Sequence, residues 1–304
     1  MPSLQSRLLP PLLRLQRAYQ GRLASRPVED LVRFRERSDA ITSWMIRMPK
    51  GVAVEPGTVA GVPGIWLSPD GAPSDPLVLF IHGGGIFFGL TPAHRQAVAL
   101  IAKSAEVRIF AIQYRLNPGN PYPNAHDDCF AVYTELVHRG AGLVLIGESS
   151  GGVLSLATLL RAKAAGLPQP KLCIEISPTV DFGFKDDRVW QIRDPFAHPR
   201  FAIGLHKSYV AGNDTSTADL GPVYHDLSGL APLQIVGGEN DILAGEAARL
   251  QEAARRHRVP VETRYWPGMW HAWHLMSDQL PEGREALDAV ARAVRAALPD
   301  AGSR

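Results

Sequence analysis

Leu143-Val144-Leu145-Ile146-Gly147-Glu148-Ser149-Ser150-Gly151-Gly152-Val153-Leu154 passes from an apolar run through a glycine-flanked turn into a helical pattern, and the fold follows from it. Its first four residues form a short apolar run, which predicts a buried strand. From Val153 onward Leu154, Leu156, Ala157, Leu159 and Leu160 precede Arg161 and Lys163, which predicts a helix. Between the two, Gly147-Glu148-Ser149-Ser150-Gly151 matches G-x-S-x-G in the strand–turn–helix context that this pattern requires. Side chains at 147 and 151 would collide with the neighbouring strand and helix, so glycine has a steric task there. The turn also sets the N–H of Ser150 at a helix N-terminus, where negative charge is stabilised. Ser149 is thereby a candidate attacking hydroxyl. Taken alone, the window equally fits an ordinary glycine-rich strand-to-helix turn.

Outward from this stretch, strands and helices alternate. A fully apolar strand is predicted at Pro76–Ile81, ending in His82-Gly83-Gly84-Gly85. Helix is predicted at 92–104, strand at 107–113, helix near 125–138, helix at 152–165 and strand at 171–176. After a pause come strand 233–236, helix 245–257, strand 261–266 and a last helix 281–297. Continuous apolar strands separated by helices mean a mostly parallel sheet covered on both faces, an α/β fold. Upstream, Gly51–Glu55 and Val62–Leu67 suggest a hairpin. The pause, Asp181 to Tyr224, is rich in charge and aromatics and reads as a helical insertion over the end of the sheet. Residues 4–24 have amphipathic helix patterning broken near Pro10-Pro11, and a second helix follows Pro27. The expectation is that these helices pack on the main body. The alternative is peripheral membrane contact through their basic face. Residues 299–304 are expected to fray.

Composition narrows the function classes. The 304 residues are 45% hydrophobic and 20% charged, with a formal net charge of +2, ordinary for a globular protein. No basic run points to nucleic acid. Cys129 and Cys173 lie far apart in apolar surroundings and read as core thiols rather than a disulfide or metal ligands. No apolar stretch is long enough to span a bilayer, and Pro10-Pro11, Arg14 and Arg17 interrupt any signal-peptide pattern, so a cytoplasmic location is expected.

Acyl transfer by a serine requires a base for its proton, an acid to orient that base, and N–H donors for the developing oxyanion. Downstream of Ser149, two loops lie just past predicted strand ends, 237–243 with Glu239 and Asp241, and 267–274 with His271 and His274. The order serine, acid, histidine is that of the α/β hydrolases.

Several motifs in this order resemble the hormone-sensitive-lipase-like esterases, bacterial family IV, of the α/β-hydrolase fold. They are His82-Gly-Gly-Gly85, Tyr114-Arg-Leu116 with Pro121-Tyr-Pro123 and Asp127-Asp128, Ser177-Pro178 with Asp181, Tyr209-Val-Ala-Gly212, Asp241-Ile-Leu243 and Gly268-Met-Trp-His271. The resemblance runs from about Gly51 to Trp273. It implies Ser149 as nucleophile, His271 as general base and acid, and Asp241 as its orienter. Gly83, Gly84 and Ser150 are implied as oxyanion N–H donors, and His82 as a brace for the glycine loop. Glu148, Arg115 and Asp128 read as internal hydrogen-bonding and ion-pairing groups. The resemblance also implies a helical cap built from residues 1–45 and 182–212 over a core of 46–181 and 213–304. Phe87, Phe88, Phe182, Phe201 and Trp270 are candidate pocket walls.

The implied activity is hydrolysis of short- to medium-chain acyl esters through an acyl-enzyme, with no metal or organic cofactor. Amide, lactone or thioester hydrolysis uses the same machinery, and a non-catalytic ligand-binding protein of this fold is the rival from another class. A small-molecule ester is the expected partner, and a homodimer the expected assembly. The sequence departs from the family pattern at Glu148 and Ser150, where Asp and Ala are commonest, and at Ile242 and Ala272.

Overall fold

The computed structural model describes residues 3–74, 77–139 and 142–298. The predicted strand start at Pro76 and the expectation for residues 299–304 fall outside these. Among the described residues, the strands make one sheet in the order β1-β2-β4-β3-β5-β6-β7-β8. Strands β3 (Leu77–Ile81), β4 (Arg108–Ile112), β5 (Leu143–Glu148), β6 (Leu172–Ile176), β7 (Leu233–Gly238) and β8 (Val261–Trp266) are parallel. The hairpin β1 (Val52–Val59) and β2 (Val62–Pro69) adds two antiparallel strands at one edge. Its two-residue turn, Ala60 and Gly61, has φ of +51° and +77°, the primed-turn geometry that matches strand twist.

The continuous apolar runs are explained by burial on both faces. In β3, Leu77, Leu79 and Ile81 join one core layer, while Val78 and Phe80 join the other. In β5, Leu143 and Leu145 face the first layer and Val144 and Ile146 the second. The side-chain period of two sorts each run between the layers. Helices α5 (Asn124–Val137), α6 (Gly151–Ala164) and α9 (Ala244–Arg256) close the first. Helices α4 (Pro92–Ala105) and α10 (Pro281–Ala297) close the second. Cys129 and Cys173 are buried free thiols in the first layer.

Between β6 and β7 the described residues contain no strand. Helices α7 (Arg188–Gln191) and α8 (Pro199–Val210) lie there instead. Of the N-terminal helices α1 (Leu4–Leu8), α2 (Pro10–Leu23) and α3 (Val28–Met45), the latter two meet this insertion. The His198 N–H donates to Gln20 Oε1 at 3.0 Å, and Arg17 Nε to the Ala197 carbonyl at 3.3 Å. Leu13, Gln20 and Leu23 form the inward face of α2, whereas Leu4, Leu8, Leu12 and Leu15 are exposed. The expected packing on the body therefore involves one face only.

The close approach of α6 to β3 sets the glycine at 151. A Cβ there would lie 2.2 Å from the Ile81 carbonyl oxygen and 2.9 Å from that of His82, both backbone atoms that cannot swing aside. Gly151→Ala is expected to cost about 1–3 kcal/mol or more through overpacking. Urea unfolding of the variant against the parent measures it, and an unchanged midpoint would contradict this packing.

Candidate active site

Strand β5 leads into a turn at which Ser149 has a φ of +52°. Few non-glycine residues occupy this left-handed region, and holding one there costs about 1–3 kcal/mol. Three backbone bonds hold it. The Ser149 N–H donates to the Ile176 carbonyl, and its own carbonyl accepts from the Gly152 and Thr179 N–H groups, all at 2.9 Å. A Cβ at Gly147 would lie 2.6 Å from Ser155 Oγ and 2.8 Å from the Gly151 carbonyl, so both flanking glycines are sterically required.

Two loops at the same end of the sheet complete the constellation. Ser149 Oγ lies 3.0 Å from His271 Nε2, and His271 Nδ1 lies 3.0 Å from Asp241 Oδ1. The carboxylate accepts at Nδ1, which leaves the Nε2 lone pair of the neutral ring facing the serine hydroxyl. Gly238 permits the loops to close on each other, since a Cβ there would sit 2.4 Å from the Met269 carbonyl. His271 is lifted to about 9. Burial pulls it down, but Asp241, through charge and hydrogen bond, together with Asp194 and Glu148 outweighs burial.

Asp194, on the insertion, carries a role that the sequence reading missed. Its Oδ2 accepts from the His271 N–H at 2.7 Å and the Ile242 N–H at 3.1 Å. Its Oδ1 accepts from the N–H groups of Phe196 and Ala197 at 2.7 and 2.9 Å. One buried carboxylate thus joins the insertion to both the acid loop and the histidine loop. Burial and the charge of Asp241 push its carboxyl up to about 6. The available signal was Asp194-Pro195-Phe196, an Asx turn before proline.

The glycine loop requires a correction. The Gly83 N–H donates to Glu148 Oε2 at 2.6 Å and so does not face a substrate oxygen. The Gly85 N–H donates to Ser150 Oγ at 3.0 Å. Among the described residues, the N–H groups of Gly84 and Ser150 have no acceptor. His82 stacks on Tyr114 with ring centroids 4.2 Å apart, and its Nδ1 lies 2.8 Å from the Gly83 carbonyl. Burial and neighbouring His94 push its pKa down to about 3, so it is neutral.

Glu148 is buried beneath the turn at 2% exposure. His94 Nδ1 accepts from the Thr91 N–H, leaving Nε2–H to donate to Glu148 Oε2 at 3.1 Å. His274 Nε2 lies 3.6 Å from Oε1. Burial opposes the charge, yet the His94 hydrogen bond and the surrounding histidines hold the carboxyl down at about 2. Asp128 and Arg115 pair at 2.7 Å, but Arg115 is exposed, so the pair lies at the surface and not inside as expected. Glu239 is exposed, accepting from the Gly268 N–H.

The α/β-hydrolase-fold family matches residues 78–275 of this chain. An acetyl-hydrolase from Streptomyces hygroscopicus is 31% identical over 225 residues, covering 72% of this chain and 75% of that protein. The esterase EstE5, soaked with p-nitrophenyl butyrate, superposes with a TM-score of 0.88 at 28% identity, across 97% of this chain and 99% of that one. An esterase of the bacterial hormone-sensitive lipase family superposes with a TM-score of 0.87 at 26% identity, across 98% and 100%. This chain belongs to the hormone-sensitive-lipase-like esterases of the α/β-hydrolase fold. It is a carboxylic ester hydrolase.

In this esterase, three of the five candidate wall residues cluster beside the glycine loop. Phe87 and Phe201 are buried with Leu23 and Leu205, and half-buried Phe88 packs against them. Phe34 of α3 meets Phe88 and Phe201 edge-on, at 6.0 and 6.2 Å between centroids. Phe182 packs instead in the first core layer against Tyr209 and His206, and Trp270 lies in the second layer.

Because the folded Glu148 carboxyl titrates below its ordinary value of 4.5, it adds stability above pH 4.5 that is lost as pH falls toward about 2. Glu148→Gln keeps one acceptor but removes the charge, and is expected to cost about 1–3 kcal/mol at neutral pH. The variant's deficit relative to the parent should shrink in acid, measured by urea unfolding from pH 7 to 3. A deficit constant with pH would show that the charge is not what stabilises the loop.

Proposed function

We propose that this esterase hydrolyses short- to medium-chain acyl esters through an acyl-enzyme on Ser149. The observation that carries the reading is the pair of 3.0 Å contacts, Ser149 Oγ to His271 Nε2 and His271 Nδ1 to Asp241 Oδ1, built on a serine held at positive φ. Ser149 Oγ attacks the ester carbonyl carbon while His271 Nε2 takes the hydroxyl proton, and Asp241 stabilises the resulting imidazolium. The carbonyl oxygen gains negative charge as the tetrahedral centre forms. The N–H groups of Gly84 and Ser150 receive it, each such donor being worth about 10²–10³ in kcat. His271 then returns the proton to the leaving alkoxide. Water, deprotonated by the same nitrogen, attacks the acyl-enzyme and frees the acid.

The chain-length reading rests on the aromatic cluster of Phe34, Phe87, Phe88 and Phe201, contributed jointly by residues 1–45, the glycine loop and the 182–212 insertion. In this reading the two helical segments form a cap that closes the acyl end. The acetyl-hydrolase relative and the butyrate ester used with EstE5 agree with small acyl groups.

Hydrolysis of p-nitrophenyl acetate through palmitate tests the proposal. Turnover is expected to be greatest at the short end and to fall by roughly 10⁴-fold or more in Ser149→Ala. Equal turnover by the variant would remove Ser149 as nucleophile.

The pH profile tests the base. Because acids raise the His271 pKa above 6.5, to about 9, kcat/KM should climb with pH through a midpoint on the alkaline side of 6.5. Asp194→Asn removes one of those charges and is expected to move the midpoint down. A midpoint unmoved in the variant would show that Asp194 acts on the loop alone.

A further inference from the structure

Helices α1 and α2 present a row of large apolar side chains to solvent at helical spacing. Leu4, Leu8, Leu12 and Leu15 are 65–69% exposed, and Tyr19 continues the row at 46%. The inward residues Leu13, Gln20 and Leu23 satisfy the contacts of α2 with the body, so this row is surplus to folding. Within the segment itself the charge has one sign, while an acid of α10, Glu282, accepts from the Ser3 N–H and hydroxyl at the start of α1. Residues 1–28 contain Arg7, Arg14, Arg17, Arg22 and Arg26 and no Asp or Glu. Beyond Tyr19, a cavity of about 420 Å³ between α2 and α3 is lined by Arg22, Arg26, Arg33 and Arg37. A single acid shares it, Asp30, which pairs with Arg33 at 3.6 Å.

We propose that α1 and α2, with this arginine-lined cavity, dock the protein on an anionic phospholipid surface. Exposed leucines flanked by arginines are the two halves of an interfacial helix, the apolar row entering the acyl boundary and the guanidinium groups meeting phosphates. Charge decides between occupants. A second copy docked through the same face by twofold symmetry would bring the same arginines together, whereas an anionic surface neutralises them. The placement also suits an ester hydrolase. Leu23 and Phe34 line the cavity and also touch the aromatic cluster beside the glycine loop, so docking sets that cluster against the lipid.

The test is co-sedimentation of the full chain with vesicles of phosphatidylcholine alone and of phosphatidylcholine with phosphatidylglycerol, at low and high salt. Binding to the anionic vesicles should exceed binding to the neutral ones by roughly tenfold or more and weaken with salt. Leu8→Ser/Leu12→Ser/Leu15→Ser should reduce it at least about tenfold with an unchanged unfolding midpoint, since the residues are solvent-exposed. Arg22→Gln/Arg26→Gln should remove the preference for anionic lipid while leaving weak apolar binding, and serves if the leucine variant misfolds. Absence of sedimentation with anionic vesicles at low salt overturns the proposal, as does binding that the leucine variant retains. A concentration-dependent dimer that the leucine variant abolishes also overturns it, assigning the row to self-association. Because the readout is binding and not turnover, its failure is distinct from failure of the assignment of Ser149.

Discussion

Glu148 ends β5 with a negative charge in a place where water does not reach. Burying such a charge unaccompanied costs roughly several kcal/mol, so its hydrogen bonds are obligatory. Those bonds go to the Gly83 N–H and to His94, with His274 close by. The carboxylate therefore fixes the glycine loop and the start of α4 around one point directly beneath the strained serine. The same commitment engages the Gly83 amide and leaves the next amide, that of Gly84, without an acceptor among the described residues. Ser150 adds a second tie by accepting from Gly85. The two departures from the family pattern at this turn are thus the two groups that anchor the loop.

Asp194 does for the other half of the site what Glu148 does for the first. Four backbone N–H groups converge on it, two from its own segment and one each from the acid and histidine loops. The 182–212 insertion is consequently coupled to the position and the basicity of His271. Any substitution that shifts the insertion acts on both. The N-terminal helices reach the same insertion through Gln20 and Arg17, which extends the coupling to the outer face of the molecule.

Much of the fold was legible because burial on both faces writes parallel strands as unbroken apolar runs. Strands β3 to β7 lie within a few residues of where those runs predicted them, whereas the edge strand β8, Val-Glu-Thr-Arg-Tyr-Trp, is half exposed and has no such run. The positions of Ser149, Asp241 and His271 were legible for a related reason, since each follows the carboxyl end of such a strand and the sheet topology gathers those ends. Asp194 was hidden because it lies between α7 and α8 in irregular chain, with no helix or strand period from which to orient a side chain. Phe182 and Trp270 enter the two core layers instead of the aromatic cluster, because aromatic content alone does not say which layer a ring enters.

The α/β architecture, the steric need for glycine around Ser149 and the order of the three polar groups are all written in local pattern. Packing in three dimensions sets which amides of the glycine loop lack an acceptor among the described residues, that Asp194 reaches His271, and that the leucines of α1 and α2 face solvent. Those facts depend on the orientation of single peptide planes and on which of two helix faces meets the body. Helical spacing identifies an apolar face but not what lies against it, and that is settled only when segments distant in sequence are packed together.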